Sequence, residues 1–516
     1  MLKIKSKQLS LYSILYDKIP NDHLLKAIDR AVDFSFINKM LAASYSKHFG
    51  RPAKEPEMMA KLLILQYLYN LSDVRVIEET SLNLAYMWFI GINPEEDLPD
   101  ASLLAKFRTQ RLKDTSVDDI IKEVVRQCVE KNIIKGTGLS IDATHTSANT
   151  IKKVPERIMK HLARKILKNI EEELGEIPSE INVVIPNYKD IEDHKEAKQT
   201  MKNYLENMME EVENNVDISK IPKTEKILTG AKDILKDEKF ILQKGIRSLV
   251  DKDARVGYKS KTDSFYGYKI EFAMIPEERI ITAVEVSDGA YVDGTKFKDL
   301  YNRTKESGFD IKEVYGDKAY FRKPILDILK ETKVEAIIPV SSSVYRIDES
   351  KYSYNKDSDQ WFCQMGNYTV DKKYKKNSRG QEIFCYTFNN DMCSNCPHKI
   401  ECAGKKANVK RFRVGLNSAE YYEHSQVANT PEFKEKYKKR ASHEWKNGEM
   451  KRFHGLDRAR GYGLKSMGMQ AKLTALAVNL KRIAALISFL LLYLYSILST
   501  NDLKEEIPSC RTTIAA

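Results

Sequence analysis

Between residues 264 and 340 the order of apolar runs and breaks leaves few folds open. SFYGYKIEFAMI and RIITAVEVSDG are strand-like runs separated by PEE, which reads as a hairpin. A helix-like TKFKDLYNRTKES, a strand in IKEVYGDKAY, a helix in PILDILKET and a buried strand in VEAIIPV follow in turn. Two antiparallel strands joined to strand, helix, strand, helix, strand predict an α/β fold, a mixed sheet with helices on both faces. Upstream, GTGLSIDATHTSA reads as one more strand, expected to end near Asp142, and IKEVYGD delivers Asp317 just past a strand end. Strand ends sit side by side in a sheet, so acids placed there can converge on one point.

Acids at strand ends are common in a chain with 73 Asp and Glu, so a third partner has to decide. In YKKRASHEWKNGEMK, the residues Tyr437, Arg440, Glu444 and Lys451 fall at the spacing of one helix face. That stripe presents a phenol, a guanidinium, a carboxylate and an ammonium. Phosphoryl transfer needs charge stabilisation above all, which two metal ions about 4 Å apart provide at the attacking and leaving oxygens. Mg2+ is held by few carboxylates together with water and substrate phosphate, so acids from separate elements are the expected protein signature. Without that role, an Arg440 to Glu444 pair merely supports its helix. Glu449 is a rival acid, but five residues from Glu444 it points to another side.

The pattern Tyr-x2-Arg-x3-Glu-x6-Lys resembles the signature of the bacterial insertion-sequence transposases with an Asp, Asp, Glu triad, the broad insertion-sequence four and five group. SIDATHTSAN and YGDKAYFRKP are similar to that group's two aspartate blocks, EWKNGEMKRFHGLDRARGYGL with QAKLTALAVNLKRI to its C-terminal block, and GRPAKEPEMMAKLLILQYLYNLSD to a preceding helical domain. The resemblance spans roughly residues 20 to 485. It implies a ribonuclease-H-like core, residues 136–340 and 431–485, in which Asp142, Asp317 and Glu444 bind two Mg2+ or Mn2+ ions. It further implies that Tyr437, Arg440 and Lys451 contact DNA phosphates. The implied activity is cleavage and transfer of DNA strands at inverted-repeat element ends. The partner is then double-stranded DNA, both ends and target, with a homodimer on two ends. A metal nuclease of the same fold without strand transfer is one alternative. A non-catalytic, domesticated DNA-binding protein is another, which the intact triad disfavours.

Around this core the chain divides further. Residues 21–113 carry helical periodicity with breaks at FGRPAKEP, NLSD and NPEEDLPD, and are expected to form a helical DNA-binding domain. Within it DASLLAKFRTQRL places Lys106, Arg108 and Arg111 on one short helix, either a recognition helix or an ordinary solvated basic face. Residues 152–247 are Lys/Glu-rich and suggest an inserted helical hairpin, whose basic start IKKVPERIMKHLARKILK reads as a solvated face. Residues 341–430 form an insertion containing cysteines, and 486–516 a C-terminal helix and tail.

Cys393 and Cys396 form a Cys-x2-Cys knuckle, Cys402 follows, and Cys363 lies upstream, so four thiolates can close a structural Zn2+ site. Cys385 competes for the fourth place, and reduced, metal-free thiols are the other reading. Trp361 either packs in a core or stacks on an extruded base, as an aromatic does in related transposases. His145, three residues after Asp142, is expected to be locally hydrogen-bonded rather than a ligand or base.

Bulk properties agree. The chain's 516 residues, 42% of them apolar, allow two to four packed units. Its 85 Lys and Arg, against those acids, leave a net charge of +12, which favours a polyanionic partner, although a balanced solvated surface is compatible with it. Seven scattered cysteines and no cleavable leader point to a reducing cytoplasm, and the resemblance implies that it is bacterial, with the chain associated with the nucleoid. IAALISFLLLYLYSIL, from Ile483 to Leu498, falls short of the roughly 20 residues that span a bilayer, and reads as a buried helix rather than a membrane anchor.

Overall fold

The computed structural model describes residues 10–46, 52–238, 240, 246–260, 262–376 and 380–505. Its centre is a six-stranded mixed sheet built from β1 (Gly138–Ser147), β2 (Arg255–Tyr258), β3 (Ser264–Ile275), β4 (Ile280–Asp288), β5 (Glu313–Tyr315) and β6 (Glu335–Ile337). Across the sheet the order is β4, β3, β1, β5, β6, with β2 sharing the outer edge of β3. β3 is antiparallel to both of its neighbours, β1 and β4, whereas β5 runs parallel to β1 and β6 parallel to β5. Helices Phe297–Glu306 and Lys323–Glu331 make the crossovers that parallel neighbours require. The α/β expectation therefore holds, and so does the hairpin at PEE.

β1 corrects one expectation, since Asp142 lies in mid-strand, five residues before the end at Ser147. The polar ATHTS stretch stays extended because its groups are satisfied. The backbone pairs with β3 through Ser147, and the Thr146 hydroxyl donates to the Leu456 carbonyl at 2.7 Å. β-branched threonines also suit a strand. Gly267 of β3 lets the two backbones approach, since a Cβ there would stand 2.0 Å from the Thr146 carbonyl oxygen.

The N-terminal helices include Leu24–Ala31, Pro56–Leu68, Asp73–Leu82 and Leu84–Ile90. They share one continuous apolar core with the sheet, in which Leu63, Phe89 and Val124 join Ile141, Phe272 and Val314. The terminal helix Gly463–Glu505 ties the two parts together, contacting β4 on one side and the helices at 24–31 and 56–68 on another. It continues through residue 485, where a boundary had been expected. Ile483 and Ala484 are buried as anticipated, while the side chains from 489 onward lie outside the described residues. Among the described residues no helix is long and apolar enough to cross a membrane.

Both insertions have cores of their own. Among the described residues, 152–247 hold three α-helices, Pro155–Leu174, His194–Asn215 and Pro222–Lys236, instead of a hairpin. Two helices cannot close an apolar stripe that includes Ile166, Leu205, Met208 and Leu228, and the third covers it. The segment 341–430 contains the hairpin β7 (Tyr352–Asn355) and β8 (Gln360–Cys363). It also contains a three-stranded sheet of β9 (Thr369–Lys376), β10 (Glu382–Phe388) and β11 (Arg411–Gly415). Trp361 is wholly buried there, against Tyr354, Phe412 and Tyr422 at ring distances of 5.0, 5.3 and 5.6 Å, so it packs a core.

The join between the terminal helix and the sheet rests on Asn479. Its amide accepts from the Ile281 N–H at 2.8 Å and donates to the Ile281 carbonyl at 2.7 Å, while fully buried. Asn479→Ala strands both backbone groups, and should cost about 2 kcal/mol or more, read as a lower thermal midpoint than that of a surface control variant.

Candidate active site

The parallel pairing of β1 with β5 sets two acids level. Ser140 is opposite Tyr315, and two residues further along each chain come Asp142 and Asp317. Asp317 caps the short turn Lys318–Tyr320, accepting from the Ala319 N–H at 2.8 Å. Burial raises the carboxyl pKa of both acids. For Asp142 the Arg440 guanidinium pulls the other way, and the charges of Asp293 and Glu444 add to the rise. For Asp317 the Ala319 N–H pulls down and Asp142 pushes up. Like charges packed into a half-dry site create a strong demand for a cation.

The third acid arrives on a broken helix. Pro431–Tyr437 passes through one tight turn, Lys438–Arg440, into Ala441–His454, so the stripe predicted on a single helix spans a junction. The junction still does what the spacing required. Arg440 Nη2 lies 2.9 Å from Asp142 Oδ2, and its Nη1 lies 3.8 Å from Glu444 Oε1. Tyr437 senses Arg440, Asp317 and Asp142, although burial dominates in raising its pKa. Glu444 itself is 70% exposed and faces outward beside the buried Asp142. Glu449 is excluded from this cluster, since it pairs with Lys446 at 2.8 Å and Lys481 at 3.4 Å.

Lys451 lies apart from the acids, in a basic corner. Burial, with Lys259 adding to it, lowers its pKa to about 8. Burial likewise brings His145 down to about 4, helped by Lys451 and Lys259, and its ring packs at a tilt against Phe265, with the ring centres 4.9 Å apart. His145 is therefore neutral at physiological pH, and a packed ring rather than a ligand.

Two acids at the site escaped the strand-end argument. Glu271, buried in β3, accepts from the Tyr320 hydroxyl at 2.6 Å, the Tyr291 hydroxyl at 2.9 Å and the Gly294 N–H at 2.8 Å. It thus fastens the turn behind Asp317 to the 291–294 loop. Asp293, in that loop, pairs with Lys269 at 2.8 Å and its charge reaches both Asp142 and Asp317. The signal for Glu271 was present, a lone acid inside the apolar run GYKIEFAMI.

Among the described residues no group of three or more His, Cys, Asp or Glu side chains stands close enough to hold a metal ion. At the acid cluster the Arg440 guanidinium fills the gap between Asp142 and Glu444, whereas the Asp142 and Asp317 pair keeps the donor chemistry a hard divalent cation needs. At the cysteines the fit is poorer. Cys363, Cys393, Cys396 and Cys402 line one cavity of about 220 Å³, and Cys385 does not. Two of the thiols are nonetheless taken by neighbours, Cys393 by the Asn367 amide at 3.1 Å and Cys402 by the Tyr352 hydroxyl at 3.7 Å, and among the described residues no three of the cysteines stand close enough to hold a metal ion. The expected zinc centre is not supported by this arrangement.

The basic trio of the N-terminal region also departs from expectation. Lys106, Arg108 and Arg111 begin a helical run that continues to Glu130. Arg108 is held by Asp73 and Gln66, and Arg111 by the Ser44 carbonyl and the Tyr45 ring, so only Lys106 is exposed. Both guanidinium groups turn inward because the neighbouring helices offer carboxylate, carbonyl and aromatic partners at close range.

Two family models match the chain. The Transposase domain (DUF772) covers residues 13–110, and the Transposase DDE domain covers 362–484, which includes Glu444 but neither aspartate. No protein of curated function matches. Among solved structures, a piggyBac transposase synaptic complex with hairpin DNA aligns over 97% of this chain and 83% of its own, at 10% identity and a TM-score of 0.28. Matches to transposase domains in the N-terminal and C-terminal parts of the sequence support a DNA transposase of the insertion-sequence DDE type.

Proposed function

We propose that Asp142, Asp317 and Glu444 form the metal-binding acid set of a ribonuclease-H-like core that cleaves element ends and joins them to target DNA. The sheet supports the fold reading, with three antiparallel strands followed by two parallel ones in the order β4, β3, β1, β5, β6. The observation that carries the assignment is Arg440, which brings Asp142 of β1 and Glu444 of a distant helix to one guanidinium beside Asp317. Divalent cations, Mg2+ or Mn2+, supply charge neutralisation at the attacking and leaving oxygens when bound there.

The chain's own residues do the rest. Asp142 and Asp317 are rigid donors, one fixed by a sheet and the other by its turn. Glu444 comes from a helix on the solvent side, where the scissile strand enters. Arg440 fixes the Asp142 carboxylate and, with Tyr437, offers donors to phosphates flanking the cut. Lys451 adds a cation further along the helix. Glu271 acts indirectly, as the anchor of the Asp317 turn. The partner is double-stranded DNA, engaged by two copies of the chain at paired inverted repeats.

Asp142→Asn, Asp317→Asn and Glu444→Gln should each reduce Mg2+-dependent nicking of end DNA on the order of a thousandfold or more, with end binding in a gel-shift assay preserved. Glu449→Gln should retain nicking. Full activity in any of the three triad variants would refute the assignment. A pH profile tests Lys451. Raising pH through its pKa of about 8 removes the ammonium proton, so affinity for end DNA should fall between pH 7 and 9. Lys451→Arg keeps its charge throughout and should flatten that fall.

A further inference from the structure

Several lysines of the three-helix insertion are paired with its own acids. Lys168 faces Glu172, Lys202 faces Glu206 and Lys232 faces Glu213. One face does the opposite. On the helix Pro155–Leu174, Arg157, Lys160, His161 and Arg164 share a single stripe at intervals of three, one and three. From a separate segment Tyr188 and Lys189 close over them, with the Lys160 ammonium 5.7 Å from the Tyr188 ring. Lys153 completes a groove of about 450 Å³ whose lining contains five Lys and Arg, one His, one Tyr and no carboxylate. None of its five cations has an ion-pair partner among the described residues. A shared concave wall of one sign costs repulsion that a solvated convex helix face does not, and the burial and positive charge around His161 hold its pKa down.

The groove's position matters as much as its sign. Lys153 lies at the neck of the insertion, where its N–H donates to the Arg247 carbonyl at 2.9 Å and its carbonyl accepts from the Arg247 N–H at 3.1 Å. Six residues earlier in the chain β1 ends, the strand that carries Asp142.

We propose that this groove is a second DNA-contact site, which takes backbone phosphates of the duplex flanking the cleavage site without reading its bases. The inference rests on the reading that the chain acts on duplex DNA. The Lys and Arg donors match phosphate oxygens, and the absence of carboxylate and amide groups from the lining leaves little for base discrimination.

The test uses the full chain and a 40-base-pair duplex, in two versions, one with an element end and one of unrelated sequence. Binding is measured across a salt series for the wild type, for the exposed double variant Arg157→Gln/Arg164→Gln, and for the paired control Lys168→Gln. Removing two phosphate contacts should flatten the log affinity against log salt slope by about two, and weaken binding about tenfold or more, equally for both duplexes. The control should match the wild type. Circular dichroism melting checks the fold, and protection of Lys153, Lys160 and Lys189 from amine acetylation by the duplex gives a readout that needs no variant. An unchanged slope with unprotected lysines overturns the inference and leaves the triad reading intact. A loss seen with the element end alone overturns it too, since base identity would then matter. Failure of the wild type to bind either duplex overturns both.

Discussion

Arg440 and Asp142 are separated by 298 residues, yet their side chains meet at 2.9 Å, both largely shielded from water. Most of the geometry of the proposed acid set hangs on that contact. A buried ion pair gains strong attraction but loses hydration on both partners, so its net contribution to stability is small, while loss of one partner leaves a costly unpaired charge. What the pair provides is definition. It fixes the orientation of a carboxylate in mid-strand, locates the turn between two helices, and thereby sets where Glu444 stands.

Behind this contact is a layer with no contact to the acids' oxygens. His443, fully buried one residue before Glu444, meets the Ser140 carbonyl at 2.9 Å and packs on Phe272 at 4.6 Å. The helix bearing Glu444 is therefore locked to β1 and β3 by its inward face while its outward face remains open to a ligand. Glu271 does the equivalent on the other side, trading its own desolvation for three donors that hold two loops together. Rigid support behind an open, charged front is what electrostatic catalysis of phosphoryl transfer requires.

The sheet was legible in the sequence because strand and helix runs alternate there without long gaps, and the tyrosine, arginine, glutamate spacing survived a break in its helix because the tight turn preserves the side of the rod, whereas Lys451 ends up apart from the acids. Other features were not legible. The end of β1 was placed too early since threonine and histidine look like a terminus until the hydroxyl partner at Leu456 is known. Arg108 and Arg111 read as free cations because Asp73, Gln66 and Ser44, their partners, lie 35, 42 and 67 positions away. Cysteine spacing showed that four thiols could share a cavity, but spacing says nothing of the amide and phenol that claim two of them. Asp293 carried no local pattern at all.

The neck at Lys153 and Arg247 has one more implication. Two backbone hydrogen bonds bring together residues 94 positions apart, so the sheet experiences the whole three-helix unit as a short connection between β1 and β2, the strands on either side of β3. The closure entropy of such an excursion grows only with the logarithm of its length, and a unit with its own core offsets its own ordering. What protrudes there can therefore differ in length without re-solving the register of β1 and β3, so the strand that carries Asp142 is insulated from changes in the unit.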